Sequence, residues 1–222
     1  MRAFALALGA AVGALGLLPP DLLVAQDVAA RLNGRVPAPV AQAVQEIAAD
    51  ARARGLPVEP LLQKALEGGA KGVPADRVIA AVRVLAARLD EARGALQQGG
   101  IRTPSAEALE SGAYALNAGL NSGQVRDLVR VSRDPYDPAL TLRIAATLTV
   151  LGVPARQGLH LVERMIEDRR GPSALLDLPT QVQEGMAHGA TPAEAAEGLE
   201  GREDHRGDRH QEGDAHRPPR KP

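Results

Sequence analysis

The chain has no cysteine and no tryptophan, and its only aromatic side chains are one Phe and two Tyr among 222 residues. The missing thiols exclude disulfide frameworks, thiolate metal sites, Cys nucleophiles and a lipid-modified N-terminal Cys. So few aromatics leave little stacking surface for sugars, bases or flat cofactors. An excess of either charge is lacking too, since 26 Lys and Arg stand against 27 Asp and Glu for a net charge of −1. Counterion release on nucleic acid needs a concentrated basic face, so nucleic acid is not an expected partner. The core must instead be Ala, Leu, Val and Ile, which suits closely packed helices. A chain of this length predicts one domain with appendages, able to bury roughly 70% of its unfolded surface.

The first segment has the form of an export signal. Met1-Arg2 gives a positive start, and Ala3 to Leu18 is an uninterrupted apolar run closed by Pro19-Pro20-Asp21. That run is short for a membrane span and matches a secretory h-region. Small residues before the cut place cleavage after Ala25, leaving Gln26 first, with a second possible cut after Ala30. The expectation is a signal peptide over 1–25 (to 30 for the second cut), an all-helical domain over 31–200 and a tail over 201–222. After cleavage no transmembrane span remains, and the protein would reside in the periplasm or outside the cell.

The body reads as helices throughout. From Pro74 to about Gln98, Val78, Val82, Leu85, Leu89, Ala92 and Leu96 recur at spacings of 4, 3, 4, 3 and 4, which draws one stripe along a helix and places Leu85 in the buried seam. Val40, Val44, Ile47 and Ala51 form an earlier stripe that stops at Gly55. Leu61, Leu62, Ala65 and Leu66 form a short helix expected to end near Gly68-Gly69. Downstream, Thr103-Pro104, Ser122 and Asp137-Pro138 are helix starts, and Thr191-Pro192-Ala193-Glu194 has capping-box spacing. Pro179 should kink or break a helix carrying Leu175, Leu178, Val182 and Met186. No stretch alternates as a half-buried strand does, so the fold class is all-α, with eight or nine helices.

The connectors share one form, seen at Gly55-Leu56-Pro57, Gly72-Val73-Pro74, Gly119-Leu120-Asn121, Gly152-Val153-Pro154 and Gly189-Ala190-Thr191-Pro192. A Gly ends one helix, a small or apolar residue turns inward, and Pro or a capping residue starts the next. Packed hairpins in an irregular αα repeat would give this pattern, and so would a compact helical bundle.

The stretch from Gly55 to Leu89, GLPVEPLLQKALEGGAKGVPADRVIAAVRVLAARL, resembles uncharacterised exported, Ala- and Arg-rich all-helical bacterial proteins with Gly-Val-Pro turns. The resemblance covers the front third best, implies export and a helical fold, and carries no functional residues. The tetratricopeptide consensus is not met, because its Trp and Tyr positions have no counterpart.

From Arg202 to Pro222 the sequence has 11 charged residues among 21 and no Val, Ile, Leu or Phe, a composition expected to stay disordered because it has so little to bury. His205, His210 and His216 in this tail offer imidazoles among acidic neighbours, a candidate site for Zn or Ni. In the body, His160 and Glu163 lie three apart near Glu167 and Asp168, but the two His four apart of a metalloprotease helix are missing. His188 falls at a helix end, where a cation suits the dipole. Glu110-Ser111 and Asn117-Ala118-Gly119 resemble fragments of lytic transglycosylases, yet they crowd one helix without the aromatics of a sugar cleft. The loop Asp134-Pro135-Tyr136-Asp137-Pro138 lacks the ladder of a calcium loop. Tyr136 is expected to be its exposed aromatic and the first contact for a partner.

No catalytic residue and no cofactor-binding residue emerges. The expected function is an exported, non-catalytic interaction or scaffold module whose partner is another envelope protein. The alternatives are an envelope hydrolase with a site dispersed along the chain, and metal binding by the tail.

Overall fold

The computed structural model describes residues 28–200, which form ten packed helices and no strand. They are α1 (28–32), α2 (Ala38–Ala53), α3 (Glu59–Ala70), α4 (Ala75–Gln98), α5 (Ala106–Ala118), α6 (Ser122–Val131), α7 (Pro138–Val150), α8 (Ala155–Glu167), α9 (Pro172–Ala187) and α10 (192–200). None of the described helices is long and apolar enough to cross a membrane.

Two helices organise the packing. The longest, α4, receives α2, α3, α5 and α6, while α7 receives α5, α6, α8 and α9. The sequence of α7, PALTLRIAATLTV, has one charged residue, Arg143, and is apolar nearly all round, as a central helix must be. Arg143 reaches out to donate to the buried Ser111 hydroxyl at 3.3 Å. One continuous core of Ala, Leu, Val and Ile results, from Val28 to Ala196.

The turns explain why so regular a helical chain can fold back so often. At the Gly55, Gly72, Gly100, Gly119, Gly152 and Gly189 corners the N–H of the residue after the glycine closes on a carbonyl five residues back, as from Leu56 to Ala51 at 2.9 Å and from Val153 to Leu148 at 3.0 Å. These corners need a left-handed residue, which Gly55 (φ 72°) and Gly152 (φ 98°) supply without a Cβ clash. The α8–α9 corner makes the same bonds, Arg170 N–H to Met165 at 2.9 Å, but with Arg169 in the left-handed position at φ 55°.

Several boundaries differ from the sequence expectation. The helix α3 ends at Ala70, one residue past Gly68-Gly69. These glycines serve packing: a Cβ at Gly68 would lie 2.6 Å from Val78 Cγ2, and one at Gly69 would lie 2.7 Å from the Arg35 carbonyl. Ser105, not Thr103, caps α5 by accepting from Ala108 N–H. Asn121, not Ser122, caps α6, in a capping box with Gln124. In α4 the seam shifts by one residue at its middle, where Ala86 is buried and Leu85 is half-buried. The helix count exceeds the expected eight or nine because the short segments at each end of the described chain are helical as well. Asp137 caps α7 as expected, and Thr191 with Glu194 forms the expected capping box.

Candidate functional site

The helix α9 carries two faces. Leu175, Leu178 and Val182 point into the core. That anchorage goes with a helix that runs on through Pro179, so of the expected kink or break the break does not occur. A second stripe, Ala174, Asp177, Gln181, Glu184 and His188, recurs at three- and four-residue intervals and turns toward α10.

The next helix is held against α8 and α9 by named contacts. Gln157 on α8 donates to the Ala193 carbonyl at 2.9 Å. Ala195 lies so close to Gly185 that a Cβ there would stand 2.7 Å from its own. Beside this crossing the two helices diverge over Met165 and leave an open groove of about 910 Å³. Its floor and walls are small or apolar at Met165, Ala174, Gly185, Ala190, Ala195 and Leu199. Around these stand the carboxylates of Asp177, Glu184 and Glu194, together with Arg170, Gln181 and His188. The Glu194 carboxyl is held below the ordinary carboxylate range by the Thr191 backbone N–H and then by its hydroxyl. Asp177 and Glu184 form no ion pair among the described residues.

A second hollow, about 580 Å³ between α2 and α4, has a different chemistry. There Arg54 bridges Asp50 and Asp90, Arg93 holds Asp90 at 2.5 Å, and Glu91 is bound by Arg88 at 2.7 Å and by the Ser122 hydroxyl. Most of its charges are paired in this way, with Glu46 and Arg83 also on the lining, so it reads as a helix-to-helix brace.

No family model, curated protein or solved structure matches this chain.

No group of three or more potential metal ligands occurs among the described residues. His160 faces Glu200 at 3.5 Å and is well exposed, while Glu163 lies on the same helix. Burial pushes the Glu163 carboxyl above its ordinary range, His160 opposes this, and Glu167 and Asp127 add to it. No nucleophile stands within hydrogen-bond reach of either residue among the described bonds. His188 Nδ1 meets the Glu184 carbonyl at 2.7 Å, the helix-end role anticipated for it. Ser111 is buried beneath Arg143 and Glu110 is exposed, so the pair does not open on a cleft. The tail histidines His205, His210 and His216 lie outside the described residues.

Tyr136 is not the exposed aromatic. It is 6% exposed, and its hydroxyl donates to the Arg170 carbonyl at 2.6 Å, which ties the loop before α7 to the α8–α9 corner. A tyrosine in a turn-rich loop was read as a surface residue because the distant carbonyl that takes its O–H is invisible in sequence. Tyr114 is the accessible one, at 40%. The α9–α10 groove has a signal in the sequence: Gly171 to Glu200 holds Asp177, Glu184, Glu194, Glu197 and Glu200 with no Lys or Arg.

Proposed function

We propose that this protein is an exported, non-catalytic interaction module of the bacterial envelope that binds another protein in the α9–α10 groove. The observation that carries the reading is the groove itself, an open channel lined by small and apolar residues, with the exposed carboxylates of Asp177 and Glu184 in no ion pair among the described residues. An open channel that combines small and apolar residues with exposed carboxylates is a surface a partner can fill. The scattered titratable groups of the body offer no nucleophile and base in register, which weighs against the hydrolase alternative.

Gly198 provides the test. A Cβ there would meet nothing within 4 Å, and the residue lines the groove, so Gly198→Arg fills and recharges the channel without disturbing the core. A protein retained from the envelope fraction by the native chain is expected to be lost with Gly198→Arg. Retention by both would sink the groove reading. Turnover in a hydrolase screen that disappears with Glu163→Gln, while the fold survives, would move the protein to the enzyme class.

Export is part of the proposal and has its own check. Val28 is buried at 3% beside Leu32 in α1, and a cut after Ala30 would remove it from the core. N-terminal sequencing of the exported protein is therefore expected to give Gln26. Finding Arg31 would mean the core does not need Val28, and finding Met1 on a membrane-bound product would refute export.

A further inference from the structure

We infer that the occupant of the α9–α10 groove is a basic amphipathic helix of about four turns, a deeper form of the binding reading above that rests on it. The length comes from the α9 wall. From Ala174 to His188 the stripe spans 14 residues, about 21 Å at the helical rise of about 1.5 Å per residue, which is the space of one partner helix lying along the channel. Beside the Gly185–Ala195 crossing the small residues Ala174, on α9, and Ala190 and Gly198, on the other side, leave room for a third backbone.

Charge sets the chemistry of the partner. Asp177 and Glu184 stand seven residues apart, two turns along one face, and Glu194 faces them from α10. On the lining itself these three carboxylates stand against one arginine, Arg170 at the α8–α9 corner, so the channel is acidic on balance. A helix with an apolar stripe flanked by Lys or Arg at seven-residue spacing would meet the floor and both acidic rims together. An acidic helix would be repelled. The chain's own tail, 201–222, is a poorer match despite its arginines, because it has no Val, Ile, Leu or Phe to cover Met165 and Leu199.

The test uses the full chain and labelled synthetic helices of about 18 residues, read by fluorescence anisotropy. One peptide carries a Leu stripe with Lys flanks, the second has the same composition scrambled out of amphipathic register, and the third has Glu in place of Lys. The Lys amphipath is expected to bind, to weaken with added salt, and to lose about tenfold or more in affinity with the double variant Asp177→Lys, Glu184→Lys, which should now take up the Glu peptide. Both residues are exposed, so circular dichroism should confirm an intact fold. Gly198→Leu, which fills the channel without changing charge, should also block binding. Equal binding of the scrambled peptide would reduce the effect to bulk attraction and overturn the inference. Equal binding of the Glu peptide that Gly198→Leu abolishes would overturn the basic chemistry and leave the groove standing. Failure of all three peptides would overturn the inference, whereas the groove reading would still be decided by the envelope capture.

Discussion

Leu89→Ala is expected to destabilise the protein by about 2–5 kcal/mol, as cavity-forming changes in a packed core do. Leu89 is fully buried in the middle of α4, the helix that receives α2, α3, α5 and α6, so no single neighbour can collapse into the space. For a domain of this size each kcal/mol lowers Tm by roughly 2–4 °C, which a far-UV circular dichroism melt resolves. Leu85→Ala, one turn earlier and half-buried, should cost well under half as much. Equal losses at the two positions would mean that the seam of α4 runs where simple periodicity puts it.

Gly185→Val should act on the other end of the molecule. Its Cβ would stand 2.7 Å from Ala195 Cβ and 3.4 Å from Ala195 Cα, so α10 must move away from α9. Overpacking of this kind costs about 1–3 kcal/mol. Here the displaced helix also gives up the burial of Ala195 and Ala196. Hydrogen exchange is expected to accelerate over residues 192–200 and to change little in α4. Gly198→Ala is the contrast on the same helix: with open space around its Cβ it should raise Tm slightly, by removing a helix-interior glycine worth about 1 kcal/mol. If Gly185→Val leaves exchange in α10 unchanged, the close helix crossing is not what holds that helix in place.

The fold was largely legible because its signals are local. Stripes such as Val78, Val82, Leu89, Ala92 and Leu96, the Asp137 cap and the Thr191–Glu194 box depend on residues within a turn or two of each other. The features missed share a different cause. Gly68 and Gly69 lie at the end of α3 as expected, but their packing against Val78 and the Arg35 carbonyl depends on partners contributed by other segments. Leu85 followed the heptad-like spacing, yet a helix 24 residues long drifts against a strict repeat, and Ala86 takes the inward place. Tyr136 looked free because its acceptor sits 34 residues later. The groove was hidden for the same reason: its acidic stripe was countable in the sequence, whereas the divergence of α9 from α10 over Met165 depends on a tertiary crossing.

The bond from Tyr136 to Arg170 has a spectroscopic consequence. With no tryptophan to dominate the emission, tyrosine fluorescence in the described domain comes from Tyr114 and Tyr136 alone. Tyr114 is partly open to water, while Tyr136 is sealed against the carbonyl of a residue that lines the groove. Replacing Tyr114 with Phe would leave a protein with one native fluorophore, wired by a single hydrogen bond to the edge of its candidate binding channel. Occupancy that shifts the Arg170 backbone would then be visible in the unlabelled protein.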